Sequence, residues 1–262
     1  MNVTRLAVLL LLLGVAVVVN VRVRGDRARA AESREQERER VARDSAFADS
    51  LIRASEDMNT SVTVRRSALP APARDSARVA MLLATESSGT YIEEMLRARE
   101  GLVTRWPERL REPLLVWIQD AALSDYRTSH PIIVREAFQR WANTGIPMAF
   151  AYTLDSAEAE IHITWVDRYE SRTSGRTRSV RDQHGWVLGA SIELALRQPN
   201  GDLLADDALS AIAKHEVGHL LGIDHCTGEQ NIMAARVRVR DLSAEDEATM
   251  RLWYRLPPGR AR

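Results

Sequence analysis

The sequence predicts an α+β fold, α/β-like in the way strands and helices alternate, and three observations carry that expectation. Residues 113–118, 148–152 and 159–166 are short stretches rich in β-branched and aromatic side chains, and they read as strands. Two longer stretches, from about 129 and from about 206, repeat apolar residues at helical spacing. Ser243-Ala244-Glu245-Asp246 has the form of a capping box and opens a closing helix.

Residues 1–30 open with an apolar run at 6–19 behind Arg5. A helix of that length reaches about 21 Å, against a bilayer core of about 30 Å. The run suits a signal-peptide core, or a short membrane anchor assisted by Val21. Ala28-Arg29-Ala30 offers a small-x-small cleavage pattern, whereas Arg22, Arg24, Arg27 and Arg29 oppose export of the chain beyond them. The expectation is a membrane-targeted chain, anchored or exported, with its main domain outside the cytoplasm.

Residues 31–74 read as a charged helical stalk and linker, with Glu39 and Arg43 at the favourable i, i+4 spacing and Pro70 and Pro72 near the end. Residues 75–100 hold two amphipathic helices. Asp75 or Ser76 caps the first, through about Glu86, and Thr90 caps the second, through about Glu100. Val79, Leu82 and Leu83, then Ile92, Met95 and Leu96, give each an apolar face that can pack as a pro-segment or as an N-terminal extension.

The main domain is expected over 101–262. Trp106-Pro107 turns the chain into the strand at 113–118. Thr128 or Ser129 caps a helix with Pro131 in its first turn, and Val134, Ala137, Phe138 and Trp141 form its apolar stripe. Ile161, Ile163 and Trp165 line one side of the strand at 159–166. Residues 168–183 are polar, carry Gly175, and are long for a connection, so a functional loop or a mobile one is expected there. One or two strands fall in 186–196, and a helix capped by Asp206 or Asp207 continues from there to about Leu221. The last helix runs through Met250, Leu252 and Tyr254 until Pro257 and Pro258 stop it.

The 262 residues carry 36 basic and 36 acidic side chains, so the formal net charge is zero. Without a basic excess there is no electrostatic footprint for a nucleic-acid partner. Cys226 is the only cysteine, which excludes an intrachain disulfide.

The chemistry concentrates in Lys214-His215-Glu216-Val217-Gly218-His219-Leu220-Leu221-Gly222-Ile223-Asp224-His225. On a helix, His215 and His219 stand one turn apart on one face, where two imidazoles can share one Zn2+ ion at about 2.0–2.1 Å. Glu216 projects beside that metal, where its carboxylate can take a proton from water. Gly222 falls where a helix ends in a left-handed residue, after which His225 supplies a third nitrogen. Three protein ligands leave a fourth position open, as in catalytic rather than structural zinc sites.

H-E-x-x-H-x-x-G-x-x-H followed by Met233 in Asn231-Ile232-Met233-Ala234 resembles the metzincin zinc metallopeptidases, and most closely their matrixin-like branch. The element order over about 101–256 resembles that of matrixins too. The resemblance implies a twisted, mostly parallel five-stranded sheet with one antiparallel edge strand bordering a cleft, expected between 178 and 188. It implies that a peptide substrate adds to that edge as a strand, and that Met233 floors the zinc site without ligating it. Many matrixins stay latent through an upstream cysteine, and these 262 residues hold none upstream of Cys226. Cys226 also stands where matrixins usually carry serine. Neither tyrosine nor proline follows Met233; instead Arg236, Arg238 and Arg240 occupy the region that shapes the specificity pocket, as a bias towards acidic side chains or as a solvated run. A second zinc has only His130, His162 and His184 to draw on, without the expected spacing, and calcium is undecided.

The resulting expectation is a zinc endopeptidase acting on protein or peptide substrates, with His215, His219 and His225 on the metal, Glu216 as general base, and Gly222 and Met233 in support. The alternative is a non-catalytic binding or scaffold protein that keeps the fold while residues 75–100 occlude its cleft.

Overall fold

The structure is a computed structural model and describes residues 69, 72, 75–171 and 173–261. The apolar run at 6–19, its cleavage pattern and the charged stalk lie outside the described residues. Among those described, no helix is long and apolar enough to cross a membrane.

The first described element is a helical hairpin, α1 (Ser76–Glu86) and α2 (Ile92–Ala98). The Asp75 side chain accepts from the Arg78 amide and so caps α1 as expected. In α2 the cap is Tyr91 rather than Thr90, and the helix stops at Ala98, because Glu100 and Gly101 take positive φ and the Gly101 amide returns to the Leu96 carbonyl. The apolar faces of α1 and α2 merge into the core of the whole described unit.

Next come β1 (Leu102–Val103) and the long strand β2 (Arg109–Ile118), then α3 (Ser129–Ala142), β3 (Met148–Thr153) and β4 (Ile161–Val166). β5 (Gly175–Arg181), β6 (Val187–Ala195), α4 (Asp206–Leu220), α5 (Ala244–Arg255) and β7 (Gly259–Arg260) complete the order. Five strands form one sheet in the order β3-β2-β4-β6-β5, parallel throughout except for β5, which is antiparallel to β6 at the edge. A second, two-stranded ribbon, which the sequence did not suggest, pairs β1 with β7 through Leu102↔Arg260 and Val103↔Gly259.

Four expectations need correction. The polar stretch 168–183 is no simple loop, since it contains β5. That edge strand begins at Gly175, before position 178, and ends at Arg181, while Leu188 belongs to β6. Asp206 and Asp207 do not cap α4: Ala205 occupies the cap and both aspartates lie in the first turn, where their charge still favours the amino end of the helix dipole. Thr128 stands at the cap of α3 without a side-chain bond to it.

The end of α4 is held from outside the helix. Carbonyls in a last helical turn have no intrahelical donor. The Trp106 indole donates to the Leu220 carbonyl at 2.9 Å, and the Tyr254 hydroxyl to the Leu221 carbonyl at 3.1 Å. Gly222 then turns away with φ +107°, and a Cβ there would strike the Thr104 carbonyl and come within 2.9 Å of the Trp253 indole nitrogen. Conformation and space both demand glycine. Gly222→Ala is expected to cost about 1–3 kcal/mol, read as a lowered urea midpoint with an unchanged m-value.

Candidate active site

α4 presents His215 and His219 on one face, and the turn at Gly222 brings His225 back towards them. The three Nε2 atoms lie 3.1 Å (His215–His219), 3.2 Å (His219–His225) and 3.3 Å (His215–His225) apart. His215 is buried, His219 half-buried and His225 exposed, so the cluster opens to solvent on the side of the third histidine.

Backbone carbonyls fix which nitrogen faces inward. Nδ1 of His215 lies 2.7 Å from the Ile232 carbonyl, and Nδ1 of His219 lies 2.9 Å from the Ile223 carbonyl. A carbonyl only accepts, so each Nδ1 carries the proton and each Nε2 presents a bare lone pair. Burial holds the His215 imidazole down to about 4, the carbonyl bond opposing that drop. Burial also lowers His219 well below its ordinary range, and its two histidine neighbours lower it further.

Converging lone pairs repel unless a cation lies between them. Nitrogens about 2.0–2.1 Å from a tetrahedral zinc stand about 3.3–3.4 Å from one another, close to the spacing here. The donor set therefore fits zinc, which His215, His219 and His225 would hold.

Glu216 is buried beside this group. Its Oε2 accepts the Thr177 hydroxyl at 2.6 Å, and the same hydroxyl lies 3.0 Å from the Glu216 carbonyl. Burial pushes the carboxyl up to about 7, against the Thr177 bond and the charge of Arg176, which pull it down. A Cβ on Gly175 would come within 2.6 Å of Cγ and Oε1 of Glu216, so β5 approaches the carboxylate as closely as backbone allows. A group with that pKa can take and return a proton near neutrality.

Met233 is fully buried beneath α4, its sulfur in the space that a Cβ on Gly218 would need, with Trp141 alongside. The Met233 carbonyl accepts from the Cys226 amide at 3.0 Å, which ties the chain after His225 to the turn that carries the methionine. The Cys226 thiol is no part of the imidazole group: it is buried, raised by that burial, and accepts from Asn231 Nδ2 at 3.4 Å.

The remaining histidines lie elsewhere. His130 accepts the Arg127 amide within a cluster of Tyr126 and Trp165, His162 faces the Ser156 carbonyl, and His184 lies against Gln183. Arg238 pairs with Glu229 and Arg240 with Asp207, so two of the three arginines after Met233 already face carboxylates.

The sequence model of the matrixin family matches residues 117–255, just over half of the chain. The chain belongs to the matrixin family. It is also similar to metalloendoproteinase 1-MMP of Arabidopsis thaliana, at 27% identity over 172 residues. The match covers 54% of this chain and 43% of that relative, so the chain spans less than half the length of the curated relative it matches. Family membership implies zinc, and the three-histidine group of this matrixin is where it would sit.

Sequence reading missed the partners that orient this site, namely Thr177, Gly175 and the carbonyls of Ile223 and Ile232. Gly175 was visible as an isolated glycine in a polar run, a signal that fits close backbone approach as well as a loop. Purified protein is expected to hold about one zinc per chain, and His219→Ala to lose it, as read by metal analysis after gel filtration.

Proposed function

We propose that this matrixin is a zinc-dependent endopeptidase. The observation that carries the reading is the convergence of three Nε2 atoms within 3.1–3.3 Å beside a buried Glu216 carboxyl. When bound, zinc supplies a Lewis acid that polarises a carbonyl and lowers the pKa of coordinated water.

The residues of the chain do the rest. Glu216 accepts a proton from the attacking water and delivers it to the leaving amine, a task suited to a carboxyl whose pKa burial has raised towards neutrality. Thr177 engages Oε2, which leaves Oε1 to meet the proton. A peptide substrate adds as a further strand to β5, the last strand of the sheet, so that main-chain bonds hold it extended along the site. Met233 and Trp141 back α4 and keep the two helical histidines from shifting.

The rival reading, a scaffold whose cleft is occluded by residues 75–100, has less support. His225 remains exposed with the hairpin in place, and the apolar residues of the hairpin face the core. The apolar run at 6–19 supports a peptidase that is exported or membrane-anchored, with this domain outside the cytoplasm.

The deciding experiment is cleavage of a peptide library by the full chain, with and without a chelator. Activity that a chelator leaves untouched would end the proposal. Glu216→Ala is expected to keep zinc and fold while turnover falls at least about 10²-fold. Thr177→Val keeps the volume and removes the hydroxyl; kcat should drop about tenfold or more with KM little changed, and Thr177→Ser should restore most of it.

A further inference from the structure

We propose that the α1–α2 hairpin is a working part of the metal site, a clamp on the loop that carries the third ligand, with Glu94 and Arg99 as positioning residues for His225. The inference rests on the zinc reading of the three histidines and adds to it a function for a segment that the sequence left as a pro-segment or an extension.

The hairpin grips both flanks of His225. On the near side, Arg99 Nε donates to Asp224 Oδ2 at 3.1 Å, while Asp224 Oδ1 accepts the amide of His225 at 3.0 Å. Arg99 is itself fixed, because its Nη1 donates to Thr104 Oγ1 at 2.7 Å and its guanidinium carbon lies 5.7 Å from the centroid of the Trp253 ring. On the far side, Glu94 accepts the Thr227 amide at 2.9 Å on Oε2 and the Thr227 hydroxyl at 2.8 Å on Oε1. The ligand is thus suspended between two charge-assisted contacts made by residues more than a hundred positions upstream.

A third tie reaches His215. The Tyr91 hydroxyl donates to Asp246 Oδ1 at 2.9 Å, Asp246 Oδ2 accepts the Ile232 amide at 2.8 Å, and the Ile232 carbonyl takes the Nδ1 proton of His215. Outer partners of metal ligands set ligand orientation, and their loss typically lowers metal affinity 10–100-fold. Shedding the hairpin would break all three ties at once.

The test uses the full chain and reads zinc affinity by competition with a chromophoric chelator. Glu94→Ala and Arg99→Ala lie near the surface and leave the apolar core intact. Together they are expected to weaken zinc 10–100-fold, while the zinc-free protein still unfolds cooperatively with an unchanged m-value. Glu94→Gln, which keeps an acceptor oxygen for the Thr227 amide, should recover part of the loss. Hydrogen exchange over 224–227 should quicken in the double variant. Zinc affinity within twofold of the parent, or a zinc-free double variant that no longer unfolds cooperatively, would overturn the clamp and leave the peptidase reading standing. A parent chain that binds zinc tightly but cleaves nothing would sink the peptidase reading while the clamp survives. A parent that binds no zinc overturns both.

Discussion

Three imidazoles that turn their Nε2 atoms towards one another form an arrangement that a chain does not adopt unaided. Each ring must be deprived of its freedom to rotate, and each inward nitrogen must be denied a proton. For His215 and His219 the structure meets both demands with backbone carbonyls, since the Ile232 and Ile223 oxygens take their Nδ1 protons. The two isoleucines are themselves held through their amides, Ile232 by Asp246 and Ile223 by the Gly218 carbonyl at 3.1 Å. The carboxylate of Asp246 is fully buried and also closes the capping box of α5. The start of the last helix and the orientation of His215 therefore depend on one side chain.

The same dependence explains what could be read from the sequence and what could not. His215 and His219 are local, fixed by the pitch of one helix, and Gly222 announces where that helix must end. β4 showed itself through Ile161, Ile163 and Trp165, alternate residues that the sheet buries. β5 gave no such sign. Arg176, Thr177, Arg178 and Ser179 carry no apolar face, because an edge strand needs only one paired neighbour and this one turns a glycine and a threonine towards a carboxylate. Its identity as a strand comes from its register on β6, with Arg176 opposite Glu193 and Thr177 opposite Ile192, a long-range fact. The missed helix cap has a different cause: Asp206 and Asp207 act through charge in the first turn, so the residue type was right and the position was not.

The ties between the hairpin and the site lay further out of reach. Glu94 and Thr227 are 133 positions apart, and neither belongs to a motif. A helix with Glu94 on its polar side looks like any solvated helix, and only the folded chain shows what that carboxylate accepts. Apolar periodicity located α1 and α2 and said nothing of their partners, because burial is recorded in the pattern of one element whereas a polar contact is recorded in two.

Cys226 illustrates how the fold absorbs a departure from its family. A thiol next to a ligand histidine could compete for zinc. Here the backbone decides the matter before the side chain can: the Cys226 amide donates to the Met233 carbonyl, and Cys226 pairs with Ala234 in an isolated parallel bridge. Adjacent residues in an extended bridge direct their side chains to opposite sides, so a chain that turns His225 towards the other imidazoles turns Cys226 away from them. The thiol ends among Asn231 and the Gly228 carbonyl, buried and raised in pKa, where the thiolate needed for ligation is disfavoured. The thiol at this position thus lies under the turn, apart from the group that the three histidines form.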